Sequence, residues 1–227
     1  MEKPKRIDLE DRYLHKKLRE QLVAELRTKG ITDEAVLSAI GLIPRHYFLD
    51  SAFDKIAYED RAFSIAADQT ISQPYTVAFQ SQLLKIKKGD KVLEIGTGSM
   101  YQAAILSALG AKLYSIERQE ALYKKTQKLN SMIAELLPNV YFSFGDGFEG
   151  LPEFAPFDKI IITAAAPKVP EKLWEQLKVK GIMVIPLDES ENAQRMLRLT
   201  KKKDGLAKRE SFEQFSFVPM LQGKSQS

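Results

Sequence analysis

The segment VLEIGTGSMYQAA (Val92–Ala104) runs from apolar residues through one acid, Glu94, to two glycines one residue apart, and then into a helical pattern. A strand that turns on glycine into a helix brings backbone N–H groups close to a ligand, at the positive end of the helix dipole. Gly96 and Gly98 supply that turn, and Met100 stands inside it. A methionine there costs about 1–2 kcal/mol if its φ is positive and nothing if its φ is helical.

Downstream of the turn the same unit repeats. SMYQAAILSALG is a helix stopped by Gly110, KLYSIE a second strand, and RQEALYKKTQKLNSMIAELL a second helix. VYFSFGDG is a third strand, FDKIIITAAAP a fourth, PEKLWEQLK a helix and GIMVIPL a fifth strand. The fourth is almost continuously apolar, as a strand covered on both faces must be. Alternating β and α units predict an α/β fold: a doubly wound, mostly parallel sheet with right-handed crossovers. QRMLRLTKKKDGLAKRESF and FSFVPML read as a closing antiparallel hairpin, with Asp204-Gly205 as a turn signal.

Upstream, Leu14, Leu18, Leu22 and Leu26 mark one face of a helix from Asp8 to Thr28. Thr32 reads as the N-cap of a second helix, with Asp33 and Glu34 in its first turn and Gly41 and Pro44 at its end. A long loop, residues 45–74, leads to the helix PYTVAFQSQLLKI, with Pro74 in its first turn. These elements are expected over the carboxyl ends of the strands or beside the sheet. The chain therefore reads as one domain, 1–227. Residues 1–88 form the N-terminal helices and a substrate-side loop, 89–221 a cofactor-binding core, and 222–227 (QGKSQS) a frayed tail.

Composition narrows the chemistry. The 227 residues include no cysteine, which excludes thiolate catalysis and disulfides. No apolar run nears the roughly 18 residues that span a bilayer. The charged start MEKPKRIDLEDRYLHKK has no apolar leader pattern, so a cytoplasmic location is expected. The two histidines, His15 and His46, make no metal site by themselves and are expected on a helix surface or in packing. A net charge of +4 from 34 basic and 30 acidic residues is a mixed surface, and KKKDGLAKRE reads as a solvated hairpin tip. Neither a nucleic-acid nor a membrane partner is expected. With no coiled-coil pattern, a monomer is.

Glu117 ends the second strand, 21 residues after Gly96, where an acid holds ribose hydroxyls in this architecture. Asp146, in GDG, adds a polar group at the same sheet edge. The dinucleotide pattern G-x-G-x-x-G fails at Tyr101, and no Walker loop exists. A ligand combining adenosine with a small carboxylate fits better, which favours S-adenosylmethionine over a nicotinamide.

YEDRAFSIAADQTISQPYTVA, KVLEIGTGSMYQAAIL, LYSIE, FGDGFEGLPEFAPFDKIIITAAAPKVPEKLWEQLK and FSFVPML follow in order along nearly the whole chain. In these segments the sequence resembles the protein-L-isoaspartate (D-aspartate) O-methyltransferases of bacterial type. QTISQP and TAAAP are more specific than the glycine turn, which many methyltransferases share.

The resemblance implies a Rossmann-like class I methyltransferase fold. It implies methyl transfer from S-adenosyl-L-methionine, leaving S-adenosyl-L-homocysteine, to the free carboxylate of L-isoaspartyl and D-aspartyl residues in damaged proteins. The ester closes to a succinimide, whose hydrolysis restores some aspartate. Isoaspartyl peptides and proteins are the implied partners, and no metal is implied. Ser72 would be the catalytic residue. Thr70, Gln73, Gly96, Thr97, Gly98, Glu117, Asp146 and Gly147 would hold the cofactor, and Ile71, Ala165, Val218 and Pro219 would border the substrate.

The residue types suit a carboxylate acceptor. Its reference pKa is about 4, so it attacks without a general base. An amine acceptor would want an acid or amide carbonyl, where the chain offers Thr163 and three alanines. Ser72 is alternatively a helix cap ahead of Pro74. Two positions depart from the family pattern, where glycine is usual: Met100, and Asp68, which adds a negative charge near an anionic substrate. Another acceptor on the same fold, or a relative that binds the cofactor without catalysis, remain the alternatives.

Overall fold

The computed structural model describes residues 9–67, 69–190 and 193–225. Asp68 lies outside the described residues, as do the last two positions of the tail.

Among the described residues, the main sheet has seven strands: β3 (Lys91–Ile95), β4 (Lys112–Glu117), β5 (Val140–Phe144), β6 (Phe157–Ile162), β7 (Leu177–Ser190), β8 (Ala193–Lys201) and β9 (Ala207–Phe215). They lie in the order β5-β4-β3-β6-β7-β8-β9. The first five in that order are parallel, and β7–β8 and β8–β9 are antiparallel. A short antiparallel pair, β1 (Phe63–Ser64) with β2 (Thr70–Ile71), stands apart in the N-terminal loop.

Strand order reverses between β3 and β6. A ligand crevice opens outside the carboxyl ends of strands at such a switch point. The residues that leave those ends are Gly96 and Thr163, tied together by the Thr163 hydroxyl, which donates to Gly96 O (2.9 Å).

Period-two alternation sends each central strand into two cores. Val92, Ile161, Val184 and Met196 face one, shared with α3 (Pro74–Leu84) and α4 (Tyr101–Ala108). Leu93, Ile95, Ile160, Ile162, Met183 and Ile185 face the other, with Leu173 of α6 (Glu171–Gln176). The fully apolar strands of the sequence are thus covered on both sides. α5 (Glu120–Ile133) crosses from β4 to β5, and α1 (Tyr13–Thr28) packs on α2 (Glu34–Leu42) at the N-terminal side.

Four expectations are corrected. The cap of α2 is Asp33, not Thr32: its Oδ1 accepts from Ala35 N (3.0 Å) and Val36 N (3.3 Å), while the Thr32 N–H goes to Gln82 Oε1 (2.8 Å). The closing hairpin is β8–β9. FSFVPML instead runs beside the loop after β6, where Ala165 N donates to Val218 O (2.8 Å) and Met220 N to Ala165 O (2.7 Å). β7 begins at Leu177, directly after α6 and well before GIMVIPL. The tail is not frayed as far as Ser225: Ser225 N donates to Arg118 O (2.8 Å), and Glu120 N to Ser225 O (3.0 Å).

Candidate functional site

A cavity of about 860 Å³ fills the crevice. Its floor is the glycine turn and the ends of β3, β4 and β6. Its roof is residues 69–77 on one side and the extended segment 213–221 on the other. Within its wall the structure places Thr70, Ile71, Ser72, Gln73, Gly96, Thr97, Gly98, Glu117, Gly147, Val218 and Pro219. Two proposed site residues, Asp146 and Ala165, are not in that wall.

The glycine turn works differently from the expectation. Gly96 N and Thr97 N both donate to Ile116 O (2.9 and 3.1 Å), and Gly98 N donates to Glu117 Oε2 (2.9 Å). These amides are spent on fastening β3 to β4, so they are not aimed at a ligand. What the glycine contributes is room. At Gly96, φ is +95°, and a Cβ would stand 2.6 Å from Thr163 Oγ1, a hydroxyl that donates to Ile95 O and Gly96 O. Gly147 is needed for the same reason: a Cβ there would lie 2.5 Å from Ile95 Cγ2.

Glu117 anchors the turn while facing the cavity. Its Oε1 accepts from Gln119 N (2.8 Å) and its Oε2 from Gly98 N. Burial raises its pKa, and those backbone N–H groups oppose the rise. A carboxylate offers about four acceptor positions, so capacity remains for a ribose hydroxyl. Asp146 turns the other way. Its Oδ1 accepts from Phe148 N (2.9 Å) and its Oδ2 from Gly223 N (2.7 Å), which ties the tail beside the site. Ala165 is buried, and its backbone carries the bonds that hold Val218 and Met220.

Beneath the turn lies a relay not foreseen in the sequence. The Thr97 and Ser115 hydroxyl oxygens are 2.6 Å apart, and Ser115 donates to Glu94 Oε2 (2.6 Å). Glu94 is fully buried. Burial pushes its pKa up to about 8; Ser115 opposes this, and the charge of Glu117 adds to it. The visible signal was an acid inside the apolar run VLEIG.

Ser72 sits between β2 and α3. Among the described residues its hydroxyl has no hydrogen-bond partner, and it does not cap the helix. Asp60 does that work: its Oδ1 accepts from Tyr75 N (2.7 Å), and its Oδ2 from Gln73 Nε2 (3.1 Å) and Lys29 Nζ (2.6 Å). The Gln73 amide also donates to Asp60 O (3.0 Å), so its side chain braces the loop. Tyr75 donates to Glu213 across the cavity mouth. Burial first, and Glu213 second, hold the phenol above its usual pKa.

Met100 has φ +73° and ψ −3°, a left-handed backbone at the start of α4. It is 1% exposed and lines a separate cavity behind the turn, so it does not plug the crevice.

Asp11, His15 and His46 are the described residues that bring metal-ligating atoms together, within 4.8 Å. They sit in the N-terminal layer and are taken by protein partners. Asp11 is held by both Arg19 terminal nitrogens, His15 by Asp54, and His46 by Tyr58. The imidazoles pack ring on ring at 3.8 Å.

The profile of the family described as "Protein-L-isoaspartate(D-aspartate) O-methyltransferase (PCMT)" matches residues 16–225. A protein-L-isoaspartate O-methyltransferase of Christiangramia forsetii is 57% identical over 96% of this chain and 100% of its own length. One from Flavobacterium johnsoniae is 54% identical over the same shares. A solved protein-L-isoaspartate O-methyltransferase superposes with a TM-score of 0.79 at 30% identity, over 88% of this chain and 65% of that one. A Plasmodium falciparum structure, assigned the same activity and solved with S-adenosyl-L-homocysteine, gives 0.78 at 23% identity over 91% and 98%, a likeness of fold. The chain belongs to the protein-L-isoaspartate (D-aspartate) O-methyltransferase family.

Proposed function

We propose that this chain methylates the free carboxylate of L-isoaspartyl and D-aspartyl residues in damaged polypeptides, with S-adenosyl-L-methionine as donor, and so begins their repair. The observation that carries the reading is a single cavity. It joins a nucleoside-sized wall (Glu117, Gly147 and the glycine turn) to a serine whose hydroxyl is unengaged among the described residues, under an extended chain segment.

The donor supplies an electrophilic methyl group on a sulfonium sulfur. Gly96 and Gly147 let Thr163 and Ile95 pack close against the floor of the cavity, and Glu117 presents acceptors for the ribose of the donor. Asp146 acts indirectly, by fixing Gly223 and with it the segment that closes the nucleoside end. The acceptor carboxylate is ionised at neutral pH and needs no base. Ser72 holds one of its oxygens and leaves the other to attack, so catalysis is chiefly alignment. Thr70, Ile71, Val218 and Pro219 border the peptide. The same reading takes the chain as one domain acting as a monomer in the cytoplasm.

The test is methylation of a synthetic isoaspartyl peptide beside its aspartyl twin, with radiolabelled donor. Label on the isoaspartyl peptide alone supports the reading. Equal labelling, or none, overturns it.

A further inference from the structure

The second cavity, of about 460 Å³, lies behind the glycine turn, and Gly98 and Ser99 belong to the walls of both cavities. Phe48, Ile65, Met100, Leu122, Leu129 and Met132 give it an apolar lining. The volume falls within the roughly 300–1,000 Å³ of small-molecule sites. The lining is mostly aliphatic and thioether, which suits a flexible chain better than a flat ring.

Two observations give the occupant a polar end. Thr126 is 2% exposed and lies in the wall, and its hydroxyl has no partner among the described residues. A buried hydroxyl is ordinarily satisfied, so an orphan marks a place for a guest. Lys125 and Lys128 also belong to the wall, exposed and three residues apart on one face of α5. Among the described residues neither ammonium has an acid within ion-pair distance; the neighbouring Lys124 is the one that pairs with Glu120. Among the described residues, the one acid of the wall is Asp50, which accepts from Ala52 N (2.9 Å). Glu117 and Gln119, which serve the nucleoside side, are absent from this wall.

We propose that this cavity binds a medium-chain aliphatic monocarboxylate, with the tail among the apolar side chains and the carboxylate at Lys125 and Lys128. Decanoate is the probe, titrated calorimetrically into protein saturated with S-adenosyl-L-homocysteine and, in parallel, into the free protein. The expected result is one saturable site in both. Affinity should fall about fourfold for each methylene removed along a decanoate, octanoate, hexanoate series. The double variant Lys125→Glu/Lys128→Glu should weaken decanoate at least tenfold, and Leu129→Trp, which fills the cavity, should abolish it. The charge reversals are on the surface and leave the core intact, so they stand even if the tryptophan variant fails to fold.

Four results overturn the proposal: no saturable binding, indifference to the charge reversal, displacement of decanoate by S-adenosyl-L-homocysteine, or equal binding of decyltrimethylammonium. Loss of S-adenosyl-L-homocysteine binding itself would count against the proposed function and leave the titration of the free protein to decide this site.

Discussion

Glu117 reaches from the end of β4 to the turn after β3, where its Oε2 stands 2.9 Å from Gly98 N. One carboxylate therefore fixes the shape of the turn and faces the crevice. A hydrogen bond to a charged group is worth about 1.5–3 kcal/mol, so Glu117→Ala should weaken S-adenosyl-L-homocysteine roughly ten- to hundredfold by calorimetry. An unaltered dissociation constant would refute the ribose role.

Ser72→Ala tests the other end of the cavity. The hydroxyl holds no part of the fold among the described residues, so the thermal midpoint should not move. Methyl transfer should fall at least about tenfold, equivalent to about 1.4 kcal/mol, with nucleoside affinity within about twofold. A matched loss of stability would show instead that the serine is structural.

Asp60 carries the cap that Ser72 does not. Asp60→Ala should cost about 1–2 kcal/mol in chemical denaturation and also lower kcat, because Gln73 and Tyr75 lose their anchor next to Ser72. Asp60→Asn keeps the acceptor for Tyr75 N but turns an amide NH2 toward Gln73 and Lys29, so it should recover only part of the turnover. No recovery at all would show that the bonds to Gln73 and Lys29, not the cap on Tyr75, position the loop.

Met100→Gly removes a left-handed cost of about 1–2 kcal/mol but also a buried side chain worth about 1.5–3 kcal/mol. The variant should be modestly less stable, with nucleoside affinity unchanged within about threefold. A very large gain in affinity would mean that the thioether enters the crevice after all.

Glu94 predicts a pH dependence. Its pKa is about 8 in the fold against 4.5 as a free side chain. Below the lower value both states hold the proton and its contribution is intact. Between the two values the folded chain keeps a proton that the unfolded chain has released. Stability is therefore lost as pH rises, by at most roughly 1.4 kcal/mol per unit. Glu94→Gln should remove that slope, so its melting temperature should gain on the natural chain from about pH 5 to about pH 8. Parallel curves would exclude Glu94 as the titrating group.

The parallel core was legible because its strands are apolar on both faces and bounded by Gly96, Gly110 and Gly181. Thr32 and Asp33 are both good caps at adjacent positions, and only the distant Gln82 decides between them. FSFVPML has the composition of a strand, yet it pairs through Val218 and Met220 with a loop, a partner that periodicity does not reveal. At the site, Ser72, Glu117 and Gly147 were visible in motifs. Asp60 was not, because a carboxylate that caps a helix from 15 residues upstream leaves no local pattern. The sign of φ at Met100 likewise belongs to the turn as folded, not to the residue.

The docking of residues 221–225 has a practical consequence. Gly223 is held by Asp146 and Ser225 by Arg118, and Leu221 forms part of the crevice wall. A bulky fusion partner joined close behind Ser225 would strain that seam and pry open the nucleoside compartment. Such fusions should show a weakened grip on the methyl donor before any loss of folding.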